Sequence, residues 1–192
     1  MMKRRWLLGI MIGALTLALV SGCTPNQSGN GADPKSASTP VEKQTNPVKP
    51  APNNDMVPVK VYFGTHDGRY VVAEVHSLKN DSQLMQRALE VMAAGPTNPE
   101  LVAVIPKATQ VRSVVVRDKT AFVDFSAEIA KRGFGGSATE ILAVGAIVNT
   151  LTEFPDVERV QILVEGKKVD TLFGHLDVFD PLSRSPGIIK NK

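Results

Sequence analysis

Cys23 is the only cysteine in the 192-residue chain, and Leu19-Val20-Ser21-Gly22 precedes it. A thiolate is a soft nucleophile, and this setting points it to one reaction, acceptance of a diacylglyceryl group as a thioether. An aliphatic residue followed by two small ones is the pattern of the bacterial lipobox. The aliphatic side chain seats in the peptidase, and the small residues let the backbone enter it. With no second cysteine, an intrachain disulfide and a Cys-based zinc site are both impossible. Upstream, Lys3, Arg4 and Arg5 make a positive n-region, and Trp6 to Val20 make a mostly apolar h-region. That run falls short of the roughly 20 apolar residues a membrane span needs, so it reads as a secretion signal. Residues 1–22 are therefore expected to be a lipoprotein signal peptide and Cys23 the lipid attachment site. Two acyl chains anchor well, because each buried methylene adds about 0.8 kcal/mol. The expected location is the extracytoplasmic face of the cell membrane.

Other residues invite chemistry and support it less. His175 and Asp177, with Asp180 nearby, would need a nucleophile in mutual reach to make a hydrolase. Ser126 and Ser137 are available, but neither lies in a Gly-x-Ser-x-Gly elbow. Gly174-His175 reads instead as a turn whose imidazole bonds a nearby backbone group. His66, His76 and His175 are too spread in sequence to suggest convergent metal ligands. Gly133-Phe134-Gly135-Gly136 lacks the Lys-Ser/Thr ending of a phosphate loop and reads as a turn feeding Ser137 as a helix cap. Asp124 is either solvated or caps a neighbouring loop. No catalytic, cofactor-binding or metal-ligating residue is expected.

Charge narrows the partners. The formal net charge is +3, from 22 basic and 19 acidic residues. Losing residues 1–22 removes Lys3, Arg4 and Arg5 and leaves 19 basic residues against 19 acidic ones. A nucleic-acid binder keeps its basic excess on the working domain, so no nucleic-acid partner is expected. Arg117, Lys119, Lys131 and Arg132 read as a solvated rim. At 43% hydrophobic and 21% charged residues the composition is that of a globular protein.

The elements follow from the pattern. Residues 23–56 form the lipidated Cys and a linker, with six of the chain's 13 prolines between Thr24 and Met56. Such a segment buries too little apolar surface to offset its ordering entropy, and fully stretched it would reach roughly 110 Å. Residues 57–183 carry the folded domain. Val57 to Phe63 alternates as a strand, Asp67-Gly68 signals a hairpin, and Tyr70 to Ser77 is the return strand. Asn80, Asp81 and Ser82 offer caps for a helix with Leu84, Met85, Ala88, Leu89 and Met92 on one stripe, closed by Gly95-Pro96. Val111 to Arg117 and Thr120 to Ser126 flank a tight Asp118-Lys119 turn. Ser137 and Glu140 are spaced as a capping box for a broad apolar helix that ends by Phe154, before Pro155. Glu158 to Val164 and Lys167 to Leu172 close as a hairpin, and residues 184–192 are expected to be a flexible tail. The order ββαββαββ predicts an α+β fold: one two-layer domain, a mixed sheet of about six strands in hairpins, two helices on one face.

Several ordered motifs resemble the GerM domain of sporulation and spore-germination lipoproteins. They are Ala93-Ala94-Gly95-Pro96, Ile105-Pro106-Lys107-Ala108-Thr109, and Ala121-Phe122-Val123-Asp124-Phe125-Ser126. Gly136-Ser137 through Glu140, Ile147 through Pro155, Val164-Glu165-Gly166-Lys167, Gly174-His175-Leu176-Asp177 and Pro181-Leu182 continue the series. The resemblance implies an α+β domain without catalytic activity that works by protein–protein contact outside the cytoplasmic membrane. One sporulation member looks like two such domains in tandem behind a lipid anchor, whereas this chain has space for one. Such domains are also likened to ring-building modules, which implies homo- or hetero-oligomer contacts.

The reading that results is a membrane-anchored envelope lipoprotein acting in sporulation or germination. Its partners are the lipid bilayer, through acylated Cys23, and envelope or sporulation-complex proteins. The alternative is an extracytoplasmic ligand- or glycan-binding lipoprotein. Against it, the mature chain has no Trp and only Tyr62 and Tyr70 among tyrosines, a poor stock of stacking surfaces for sugars.

Overall fold

Alternating side chains make Met56–Thr65 a ten-residue strand (β1), which turns back at Thr65 to Tyr70 into Val71–Lys79 (β2). Gly68 takes the left-handed conformation of that turn, φ +67°, and its N–H donates to the Thr65 carbonyl at 2.9 Å. The computed structural model describes residues 55–131 and 134–190. The signal segment 1–22, Cys23 and the linker through residue 54 lie outside the described residues, as do Arg132 and Gly133.

Helix α1, Leu84–Ala94, buries Ala88, Leu89, Met92 and Ala93, and the Gly95 N–H closes it onto the Met92 and Val91 carbonyls. No side chain caps its N-terminal residue, Gln83; Asp81 stands just ahead, accepting the Gln83 N–H at 3.0 Å. A two-residue strand, Leu101–Val102 (β3), then pairs with Gly64 and Thr65 on the far edge of β1. Strands Val111–Arg117 (β4) and Thr120–Phe125 (β5) follow, joined by Asp118 and Lys119, both left-handed. After a 3₁₀ turn at Ala127–Ala130 comes helix α2, Ser137–Leu151, then Arg159–Val164 (β6), Lys167–Lys168 (β7) and Leu182–Ser183 (β8).

The class is α+β with two helices among the described residues, and the strands divide between two sheets rather than one. The first has the order β2-β1-β3; the second runs β4-β5-β6-β7, with β8 also on β6. β1 cannot carry the sheet onward, because β3 covers Gly64 and Thr65 and the Thr150 hydroxyl of α2 accepts the Tyr62 N–H at 3.1 Å. Nor are all neighbours hairpins. β5 and β6 are parallel, which requires a crossover, and α2 supplies it.

Helix α2 is apolar nearly all round, and Leu142 through Leu151 are all buried, as such a helix must be. Phe63, Phe125, Leu89, Met92, Ile129, Ile147, Leu151 and Ile162 fill the same core, each contributing about 1.5–3 kcal/mol by leaving water. Two expectations about the C-terminal region fail. The closing hairpin stops at Lys168 instead of Leu172, because the following residues turn to α2. The segment expected to be a free tail is bound as far as Lys190, whose N–H donates to the Val71 carbonyl while Ile189 bridges Val71 in parallel. Ile188 packs at Gly145, where a Cβ would lie 2.1 Å from the Ile188 Cδ1. The glycine there leaves room for the Ile188 side chain in this rotamer.

Candidate functional site

Glu140 was the expected partner of Ser137 in a capping box, and the structure corrects this. Gly136 is the N-cap and Ser137 the first helical residue, with no side-chain cap bond, so Glu140 falls one position too late to cap. Its side chain turns into the core and is fully buried. One carboxylate oxygen accepts the N–H groups of Leu172 (2.8 Å) and Phe173 (2.7 Å). The other accepts those of His175 (2.7 Å) and Leu176 (3.1 Å). Four backbone donors offset the cost of burying a carboxylate. Gly174, at φ +100°, lets the loop bend round it.

A second clamp sits at the other end of α2. Asn149 is fully buried; its Nδ2 donates to the Ser185 carbonyl at 3.0 Å and its Oδ1 accepts the Ser185 N–H at 2.9 Å. Arg184 donates to the Asn149 carbonyl (3.0 Å), the Thr152 hydroxyl (3.1 Å) and the Tyr62 hydroxyl (2.9 Å), and it ion-pairs with Glu153. Tyr62 in turn donates to Glu153 at 2.8 Å, and Lys60 pairs with the second Glu153 oxygen at 3.1 Å. Burial works to raise the Glu153 pKa, but hydrogen bonds from Tyr62, Lys60 and Arg184 outweigh it and hold the carboxyl below the usual glutamate range. Burial, then the bond to Glu153, pushes the Tyr62 phenol up. Beside this cluster lies a cleft of about 270 Å³ lined by Val57, Val59, Leu84, Phe154 and Pro155 among others.

The remaining sequence candidates do not converge. Ser126 accepts the Gln110 N–H at 3.0 Å, and Ser137 is exposed on the first turn of α2. His175 is exposed and contributes its backbone N–H rather than its imidazole. Asp177 caps the Phe179 N–H at 2.9 Å, and Asp180 lies 3.9 Å from Lys168. No hydrogen bond joins either serine to His175 among the described residues, and no group of three metal-ligating side chains occurs among them. Asp124 does cap a loop: it accepts the Gly166 N–H at 2.7 Å and lies 3.5 Å from Arg112. Glu74 clamps the loop after α1 through Thr97 and Asn98, with His76 at 2.7 Å. At the β1–β2 tip, His66 stands 3.1 Å from the Pro99 carbonyl beside an open cleft of about 370 Å³.

Sequence reading missed Asn149, Arg184 and the role of Glu140. A signal was present for the first, since Asn149-Thr150 interrupts an apolar helix, and buried polar groups need partners. Arg184 had none, because it lies 31 residues from Glu153 and 122 from Tyr62.

Comparison with known proteins places this architecture. A family model described as "Germane: Sporulation and spore germination" matches residues 60–170. Over 125 residues the chain is 30% identical to the spore germination protein GerM of Bacillus subtilis (strain 168), covering 62% of this chain and 33% of that protein. The chain thus spans about a third of the length of the curated relative it matches. The first GerMN domain of the sporulation protein GerM from Bacillus subtilis superposes with a TM-score of 0.58 at 29% identity. That match covers 67% of this chain and 98% of that domain. The tandem GerMN domains of the same protein give 0.57 at 25% identity, covering 71% of this chain and 48% of theirs. The matched span runs from β1 through the α2 crossover to the strands beyond it, so the chain belongs to the Germane family of sporulation and spore germination domains.

Proposed function

We propose that this chain is a lipid-anchored envelope protein whose Germane domain acts in sporulation or spore germination by docking other proteins. The observation that carries the reading is the family match over residues 60–170. The geometry supports contact rather than catalysis as the mode of action. The buried Glu140 and Asn149, with the half-buried Arg184–Glu153 pair, are engaged in fastening the 172–190 segment to α2. They build a rigid body and leave its outer faces to meet partners.

The anchor rests on the sequence at Leu19 to Cys23. Acylated Cys23 would hold the domain at the outer face of the membrane, and the proline-rich linker would set its reach. Tethering raises effective concentration, so weak contacts with envelope proteins, or with other copies of the chain, would suffice. Among the described residues no helix is long and apolar enough to cross a membrane.

The test is Cys23→Ala in a spore-forming host, with counts of spores and of germination. Release of the protein from the membrane together with a fall in spore formation or germination is expected. A variant that stays in the membrane fraction would remove the anchoring claim, and normal counts with fully released protein would remove the claim that sporulation or germination needs the anchor.

A further inference from the structure

The two long outer strands of the sheets differ in how their free edges are protected. An unpaired strand edge is a template for another chain, and proteins blunt such edges with charge or cover. β2 has both. Lys190 and Ile189 cover its start, and Glu74, His76 and Lys79 punctuate the rest. β4 has neither along its middle. Ser113, Val114, Val115 and Val116 run without a charge between Arg112 and Arg117. Among the described residues β4 pairs only with β5. Apart from the Val111 carbonyl, which accepts from Gln86 at 3.3 Å, no hydrogen bond reaches its outer edge among the described residues.

The adjoining sheet face is suited to a guest strand. Ser113, Val115 and Arg117 share a face with Phe122 and Asp124 by register, and Val115 is 44% exposed. The charge at the two ends of β4 is unequal. Arg112 is neutralised by Asp124 and by Glu165 at 2.7 Å. Arg117 has no ion pair among the described residues. It shares a cross-strand row with Thr120 and Arg159, and Arg159 acts electrostatically on its neighbour Glu158 without forming a close ion pair among the described residues. The turn end of β4 is therefore open to an acidic group.

We propose that the outer edge of β4 receives an extended segment of a partner protein, β-branched in its middle and acidic beside Arg117. Main-chain bonds to the edge would give affinity, and Val115 and Arg117 would select the sequence. The proposal rests on the interaction reading above and names the surface it uses.

The test uses the full chain and a synthetic peptide of alternating Thr and Val with Glu at both ends. Its control carries Lys at both ends. Amide hydrogen exchange is expected to slow at residues 112–117 on adding the Glu-ended peptide. That peptide should bind about fivefold more tightly than the control. Arg117→Glu should reverse the preference, Val115→Lys should abolish binding, and Val75→Lys on β2 should change nothing. Should Val115→Lys fail to fold, the charge swap at the solvent-exposed Arg117 still decides. Protection along β2, equal binding of both peptides, or no protection at either edge would overturn the proposal. So would self-association abolished by Val115→Lys, which would give the edge to a second copy. Any of these would leave unaffected the Cys23 experiment, which reads the anchor and its part in sporulation or germination.

Discussion

Glu140 and His175 are joined through the backbone: a carboxylate oxygen buried on α2 accepts the N–H of an exposed histidine at 2.7 Å. The pair ties the crossover helix to the loop that leaves β7. It also gives the Gly-His-Leu-Asp stretch a structural use, through the backbone N–H groups of His175 and Leu176.

Glu140→Gln keeps the size and replaces one acceptor oxygen with an NH₂ that faces two N–H donors. At least about 3 kcal/mol of stability should be lost, because buried donors are left without partners. Urea denaturation measures it. A loss below about 1 kcal/mol would contradict the four-bond clamp.

Asn149→Ala removes both bonds to Ser185. Global stability should fall by about 1–3 kcal/mol, and amides from residue 184 to 190 should exchange much faster while those of β5 do not. Arg184→Lys should loosen the same segment, since a single ammonium cannot reach the Asn149 carbonyl, Thr152, Tyr62 and Glu153 together.

Gly145→Ala drives a methyl into Ile188. The cost should be about 1–3 kcal/mol. Ile188→Ala in the same chain should recover part of it, so the double-mutant cycle should be non-additive. Additive losses would place Ile188 elsewhere.

Glu153 sets a pH dependence of known sign. Its folded pKa is depressed, so its contribution is complete above the ordinary glutamate value of about 4.3 and is lost as pH falls through the folded value. Below that range the Arg184 clamp should weaken, seen as movement of the Ser185 and Lys190 amide resonances. Glu153→Gln should flatten that part of the titration, although Glu74 and Asp81, also held below their usual range, will still contribute elsewhere.

Much of this fold is legible in the chain. The alternation at Val57 to Phe63, the Asp67-Gly68 turn and the stripe from Leu84 to Met92 each declare their element, because local geometry alone dictates them. The division into two sheets is not legible. It depends on Thr150 meeting the Tyr62 backbone and on a two-residue strand, Leu101–Val102, too short to show a period. Glu140 was misread for a related reason: its spacing from Ser137 fits a cap, and only the loop 32 to 36 residues away reveals the other use. Residues 184–190 look like a tail because their partners, Asn149, Gly145 and Val71, are distant in sequence.

The account depends most on the anchor, and mass spectrometry of the native protein from fractionated cells tests it directly. The predicted result is a membrane-fraction chain beginning at Cys23 with a diacylglyceryl thioether on its sulfur. An unmodified residue 23 in a cytosolic protein would contradict it.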